Sequence, residues 1–137
     1  MFVDDKSNIK VVIHIKHGKE GRGIKAELAL DKIPEDKRAD YKPATFELRQ
    51  ITWKMSNDLM REARQKNPMT MMDEVDWISY KEKKLLHVLK GWDAKDAEGK
   101  PVPVSPENVM KLHPLIAELV LQQYDKEAYL EEEERKN

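Results

Sequence analysis

Residues 8–29 read NIKVVIHIKHGKEGRGIKAELA, and the alternation inside them decides the kind of fold. Ile9, Val11, Ile13 and Ile15 fall on one side of an extended chain and Lys10, His14 and Lys16 on the other, with Val12 the exception. A period of two in β-branched residues predicts a half-buried strand. Gly18, Gly21 and Gly23 follow among Lys, Glu and Arg and mark a turn. Ile24, Ala26 and Leu28 then alternate with Lys25, Glu27 and Ala29, giving a second strand and an antiparallel hairpin. A lone hairpin is marginal in water, so its apolar face needs a cover. That cover has to come from the remainder of the chain, which reads as mainly helical.

Residues 31–42 are charged, carry Pro34 and precede Pro43; they predict a connection with one helical turn after Pro34. Thr45-Phe46-Glu47-Leu48-Arg49 is a candidate third short strand. Thr52 is placed to cap a helix over 53–65, with Trp53, Ser56, Leu59, Met60 and Ala63 at helical spacing and Asn67-Pro68 ending it. Asp73 is the expected cap of a second helix over 74–90. Val75, Ile78, Leu85, Leu86 and Leu89 form its stripe, and Lys81, Glu82, Lys83 and Lys84 face water. Gly91 is expected to end it in a left-handed conformation. Ser105-Pro106-Glu107 combines a hydroxyl cap, proline at the first helical position and a carboxylate at the positive end of the dipole. Pro114 opens a last helix whose apolar side is Leu115, Ile116, Leu119, Val120, Gln123 and Tyr124. Residues 131–137 form an acidic end without an apolar stripe, expected to fray. The fold class predicted is α+β: an N-terminal antiparallel hairpin packed on three to four helices. One domain is expected over 1–137, β-rich to residue 50 and helical over 51–130.

Composition narrows the function. Lys and Arg number 25 against 26 Asp and Glu, so no basic field exists to hold a phosphate backbone, and no nucleic-acid partner is expected. Charged residues at 37% against 39% hydrophobic imply a wet surface around a modest core. The absence of cysteine removes disulfides, thiolate metal sites and thiol nucleophiles, and suits a reducing compartment. The first ten residues lack a signal peptide's basic start and apolar run, and no window reaches a membrane-spanning length, so no membrane partner is expected.

Catalytic and metal-binding patterns are sought without result. His14, His17, His87 and His113 form no HExxH pair, and His14 and His17 differ in strand parity. Asp93, Asp96 and Glu98 before Gly99 invite a calcium loop, but Lys95 and Ala97 stand where oxygens belong and glycine comes one place late; a polar turn fits better. GKEGRG has no following GK[ST] and opens no helix. No cofactor and no enzyme activity are expected. Two features point to binding. Met69, Met71 and Met72 with Trp77 form a methionine-rich run that either plugs the core or serves as an adaptable contact surface. Leu115, Leu119 and Tyr124 lie on an amphipathic helix that packs either at home or in a partner's groove.

Residues 85–114, LLHVLKGWDAKDAEGKPVPVSPENVMKLHP, read as a rigid corner. Gly91-Trp92-Asp93 closes an apolar segment; an acidic turn with Gly99 follows, then Pro101 and Pro103, then the Ser105-Pro106 helix start and a Leu112 to Pro114 step. With the upstream block Thr45-Phe46-Glu47-Leu48-Arg49-Gln50-Ile51-Thr52-Trp53, this order resembles the tail assembly chaperones of long-tailed bacteriophages over roughly half the chain, residues 45–120. The resemblance implies a non-catalytic protein of the infected host's cytoplasm, absent from the mature virion. Its partners would be the phage tape-measure protein and the tail-tube protein. A small structural or tail-completion subunit kept in the particle is the alternative. A free strand edge or the amphipathic last helix also leaves room for a homo-oligomer.

Overall fold

The computed structural model describes residues 1–4 and 6–129, so the expected acidic end at 131–137 lies outside the described residues. The fold is α+β. Strands β1 (Asn8–His17), β2 (Ile24–Glu27), β3 (Lys42–Arg49) and β6 (Leu89–Trp92) form an antiparallel sheet in the order β2-β1-β3-β6. Strands β4 (Arg64–Lys66) and β5 (Asp73–Val75) make a separate two-stranded ribbon. The helices are α1 (Trp53–Glu62), α2 (Trp77–Val88), α3 (Pro106–Val109) and α4 (Pro114–Ala128).

The alternation in residues 8–29 becomes the sheet's inner face. Val11 lies opposite Phe46, Ile9 opposite Leu48 and Ile15 opposite Ala26, and Val11, Ile13, Phe46 and Leu48 are buried. The outer face is polar, with Lys10 opposite Glu47 in opposed signs and His14 opposite Glu27. Helix α4 lies against β1 and gives Ile116, Val120, Leu121 and Tyr124 to the core; α2 gives Leu85 and Val88, and α3 gives Val109. In the β1–β2 loop Gly18 donates to Gly23 O at 2.8 Å, and a methyl on Gly18 would collide with the Arg22 carbonyl oxygen. Pro34 leads into the expected turn, a 3-10 segment over Glu35–Asp40.

Several boundaries differ from expectation. The third strand is eight residues long and sits between β1 and β6, paired along its whole length with residues 8–15 of β1. Helix α1 ends at Glu62, not near 65, because residues 64–66 pair with 73–75. Both strands of that ribbon are largely exposed, so no burial pattern announces them. The second helix starts at Trp77 with Asp76 as cap, three residues after the expected Asp73. It stops at Val88. Leu89 donates to Leu85 O as the helix cap while pairing with Leu48 as the first residue of β6. Gly91 is therefore a strand residue opposite Glu47 and is not left-handed. Lys84 does not face water: it is buried, its Nζ 2.7 Å from Asp125 and over the rings of Tyr80 and Tyr124. Thr52, Ser105 and the last helix behave as expected: Thr52 Oγ1 accepts from Met55 N and Ser105 Oγ from Asn108 N, each at 3.2 Å.

The corner is a hydrogen-bonded unit. Trp92 meets Phe46 edge to face and donates its indole N–H to Val102 O at 2.6 Å. Asp93 Oδ1 accepts from Thr45 N at 3.0 Å, continuing the β3–β6 pairing by one residue. Asp96 Oδ1 accepts from the backbone N–H groups of Glu98 and Lys100, and Gly99 takes φ 80°, so the acidic segment is the polar turn expected of it. Lys95 bridges Pro101, and the Pro103 carbonyl accepts from the Asn108 side chain at 2.9 Å, joining the turn to the Ser105-Pro106 start of α3.

Candidate functional site

The ribbon β4–β5 carries the methionines at its tip, and that tip is built to stay in shape. Asn67 donates its backbone N–H to Met72 O at 2.9 Å, and its carbonyl accepts from Met71 N at 2.8 Å. The Asn67 side chain accepts from Met69 N at 2.9 Å and donates to Glu74 Oε2 at 3.1 Å. Thr70 Oγ1 accepts from Met72 N at 3.3 Å. Asn-Pro at 67–68 suits such a turn, because asparagine can bond its own backbone two residues on and proline blocks helix in the residue before it. The methionine side chains are left outside: Met69, Met71 and Met72 are 91%, 64% and 67% exposed. Of the two readings open for this run, the structure removes the core plug.

The ribbon leads directly into α2. Asp76 Oδ1 accepts from Ile78 N and Ser79 N, and Asp76 N donates to Ala63 O at 2.8 Å, pinning the start of α2 to the end of α1. Trp77 stands edge-on to Tyr80 and is 59% exposed, and Ile78 beside it is 71% exposed. Ile78 lines a groove of about 220 Å³ between α2 and α4, together with the exposed Met110 and the buried Leu85, Val109 and Leu121. Lys81 and Glu118, an ion pair 3.0 Å long, also line it.

The expected contact residues of the last helix separate. Tyr124 is a core residue, 1% exposed, whose hydroxyl donates to Arg49 O at 3.0 Å, and burial first of all pushes its phenol up to about 12. It cannot meet a partner without unfolding the helix. Leu119 is partly buried against the core, and Leu115 is at the exposed start of α4. Trp53, at helical spacing with the buried Leu59 and Ala63, is itself exposed at the first position of α1. Ile78 and Met110 are contact candidates that the sequence did not single out; both sit at apolar positions in helical or capped segments, which read as core until the third dimension is known.

A second cleft, of about 420 Å³, opens at the end of the sheet between the β1–β2 hairpin and the α3–α4 corner. Ile15, Phe46, Trp92 and Ile116 wall it, and His17 and His113 stand at its rim. His113 is already engaged as the cap of α4, its Nδ1 accepting from Leu115 N at 3.1 Å. His87, half-buried on α2, has its pKa lowered, mainly by burial and next by the Arg49 charge. Among the described residues no group of three or more His, Asp or Glu is placed to hold a metal ion, and no helix is long and apolar enough to cross a membrane. The chain matches no protein-family model, no curated protein and no solved structure.

Proposed function

We propose that this protein acts by binding, as a phage tail assembly chaperone that holds the tape-measure protein soluble in the host cytoplasm while tail-tube subunits assemble around it. The sequence blocks at 45–53 and 91–114 support the family, through the resemblance their order bears to it. The observation that carries the binding role is the methionine tip: three large apolar side chains held in water by a turn whose hydrogen bonds do not involve them. Apolar surface presented in this way on a rigid support is characteristic of contact sites.

The physical task is plain. A long helical protein with apolar stripes aggregates until something covers them. A small domain with a highly charged surface, attached through adaptable methionines, raises solubility while remaining displaceable. Co-expression with the cognate tape-measure protein is expected to raise that protein's soluble yield several-fold and to co-purify the two. Unchanged yield with no co-purification would refute the role. Abundant recovery of this chain from purified virions would instead favour a retained tail subunit.

A further inference from the structure

The sheet has a gap beside the first half of β1. Strand β2 pairs only with His14–His17, and the chain bends away at Leu28. Residues 8–12 therefore have β3 on one side and no strand on the other. Two sets of bonds show which backbone groups face the gap. Gly18 N donates to Gly23 O at 2.8 Å, which sets the even-numbered residues of β1 toward the β2 side. On the other flank Thr45, opposite Val12, gives its N–H to Asp93 Oδ1 and accepts from Asp93 N, both away from β1. The register is unbroken along β1 with both neighbours, so Asn8, Lys10 and Val12 each direct an N–H and a C=O into the gap. Among the described residues no group bonds to them there. Met1 and Phe2, 113% and 90% exposed, do not pack over the edge.

We propose that this open edge of β1 accepts an extended segment of a partner protein, added as an antiparallel strand with an acidic residue opposite Lys10 and an apolar residue on either side of it. Lys10 identifies the occupant. It stands exposed at the centre of the open stretch, with the uncharged Asn8 and Val12 as its neighbours on the same face. Glu47 lies across from it on β3, yet the two form no ion pair, and among the described residues Lys10 has none. An incoming carboxylate would thus meet a cation that nothing else engages. The same residue turns away a second copy. Antiparallel pairing of residues 8–12 with their own counterparts across a two-fold axis sets Lys10 against Lys10, and a lysine in mid-edge is how sheets avoid pairing with themselves. The residues beside Lys10 set the rest of the pattern. Ile9 and Val11 face the inner side, where Val11 is buried and Ile9 packs partly against the core, so the incoming side chains next to them are apolar. Backbone bonds at Asn8, Lys10 and Val12 supply the affinity, and the alternating side chains supply the choice.

This edge is a different surface from the methionine tip, and it stands or falls independently of the chaperone role. The probe is a peptide of about nine residues centred on Thr-Val-Glu-Val-Thr, followed through the amide signals of the isotope-labelled protein by NMR. In the free monomer the N–H groups of Asn8, Lys10 and Val12 are expected to exchange rapidly with solvent. Those of Ile9, Val11 and Ile13, which face β3, are expected to exchange slowly. Saturating peptide is expected to slow exchange at Asn8, Lys10 and Val12 by about tenfold or more. A peptide with lysine in place of the glutamate is expected to bind about fivefold more weakly, and Lys10→Glu to reverse that preference. Lys10 is exposed, so the variant is expected to keep the wild-type melting temperature. Slow exchange at the three edge amides in the free monomer overturns the proposal, because the chain then covers its own edge. Slow exchange in a wild-type dimer, seen by light scattering, overturns it too and assigns the edge to a second copy. Failure of the peptide to protect those amides, or equal binding of the two peptides by the wild type, overturns it as well.

Discussion

Tyr124 looks, in the sequence, like one more aromatic on an amphipathic stripe; in the fold it fastens α4 to the last residue of β3 through Arg49 O. Its environment makes a pH prediction. Burial is the first cause of the rise from 10.0 to about 12, with the hydroxyl of Tyr129 next. The folded state therefore keeps a phenol proton that the unfolded chain releases near pH 10. The associated stability is fully present below pH 10 and is lost as pH rises toward 12. Urea unfolding at stepped alkaline pH is expected to show this decline, and Tyr124→Phe to flatten it while costing about 1 kcal/mol at pH 7 by stranding the Arg49 carbonyl. An identical alkaline decline in the variant would show that other groups cause it.

Helices α2 and α4 are joined by Lys84, whose stem is buried and whose ammonium lies 5.8 Å from the Tyr80 ring centroid, 5.4 Å from that of Tyr124 and 2.7 Å from Asp125. Asp125 is about half exposed, so water screens the ion pair and packing of the stem contributes comparably. Lys84→Ala is expected to cost about 2 kcal/mol in denaturant titrations, and Lys84→Met, which keeps the stem, about half of that. Equal losses would place the effect in the charge alone. The run Lys81 to Lys84 shows why element faces were only partly legible. Lysine implies water by composition, and the two tyrosines and the aspartate that receive Lys84 come from elsewhere on α2 and from α4. The strands β1 and β2 were legible because one face is buried and the alternation records it. Strands β4 and β5 were not, because a ribbon wet on both sides writes no period into its sequence. The end of α2 misled for the opposite reason: Leu85, Leu86 and Leu89 continue a helical stripe while Leu89 has already joined β6. The methionine run was visible as a candidate site, whereas its exposure depended on a turn set by Asn67 and Thr70.

At the scale of the molecule, one core joins the sheet's inner face to α2, α3 and α4, so sheet and helices should melt together. Trp92 reports on the corner, since Trp53 and Trp77 are exposed in the folded state already. Its fluorescence and the far-ultraviolet circular dichroism are expected to trace the same urea transition. Leu48→Ala, at a position with 0% exposure, should move both midpoints together through a loss of about 3 kcal/mol. Two separated transitions would divide the chain into independent units and contradict the single domain expected from the sequence. The junction at Leu89 carries a mechanical consequence. One residue closes a helix and opens a strand, so α2 has no swivel at that end; twisting it about its long axis would shear Leu89 away from Leu48. At its other end α2 is tied by Asp76 to the last turn of α1. A tug on the methionine finger is thus borne by the sheet as a lever's load is borne by its mounting, and the finger keeps its aim under strain.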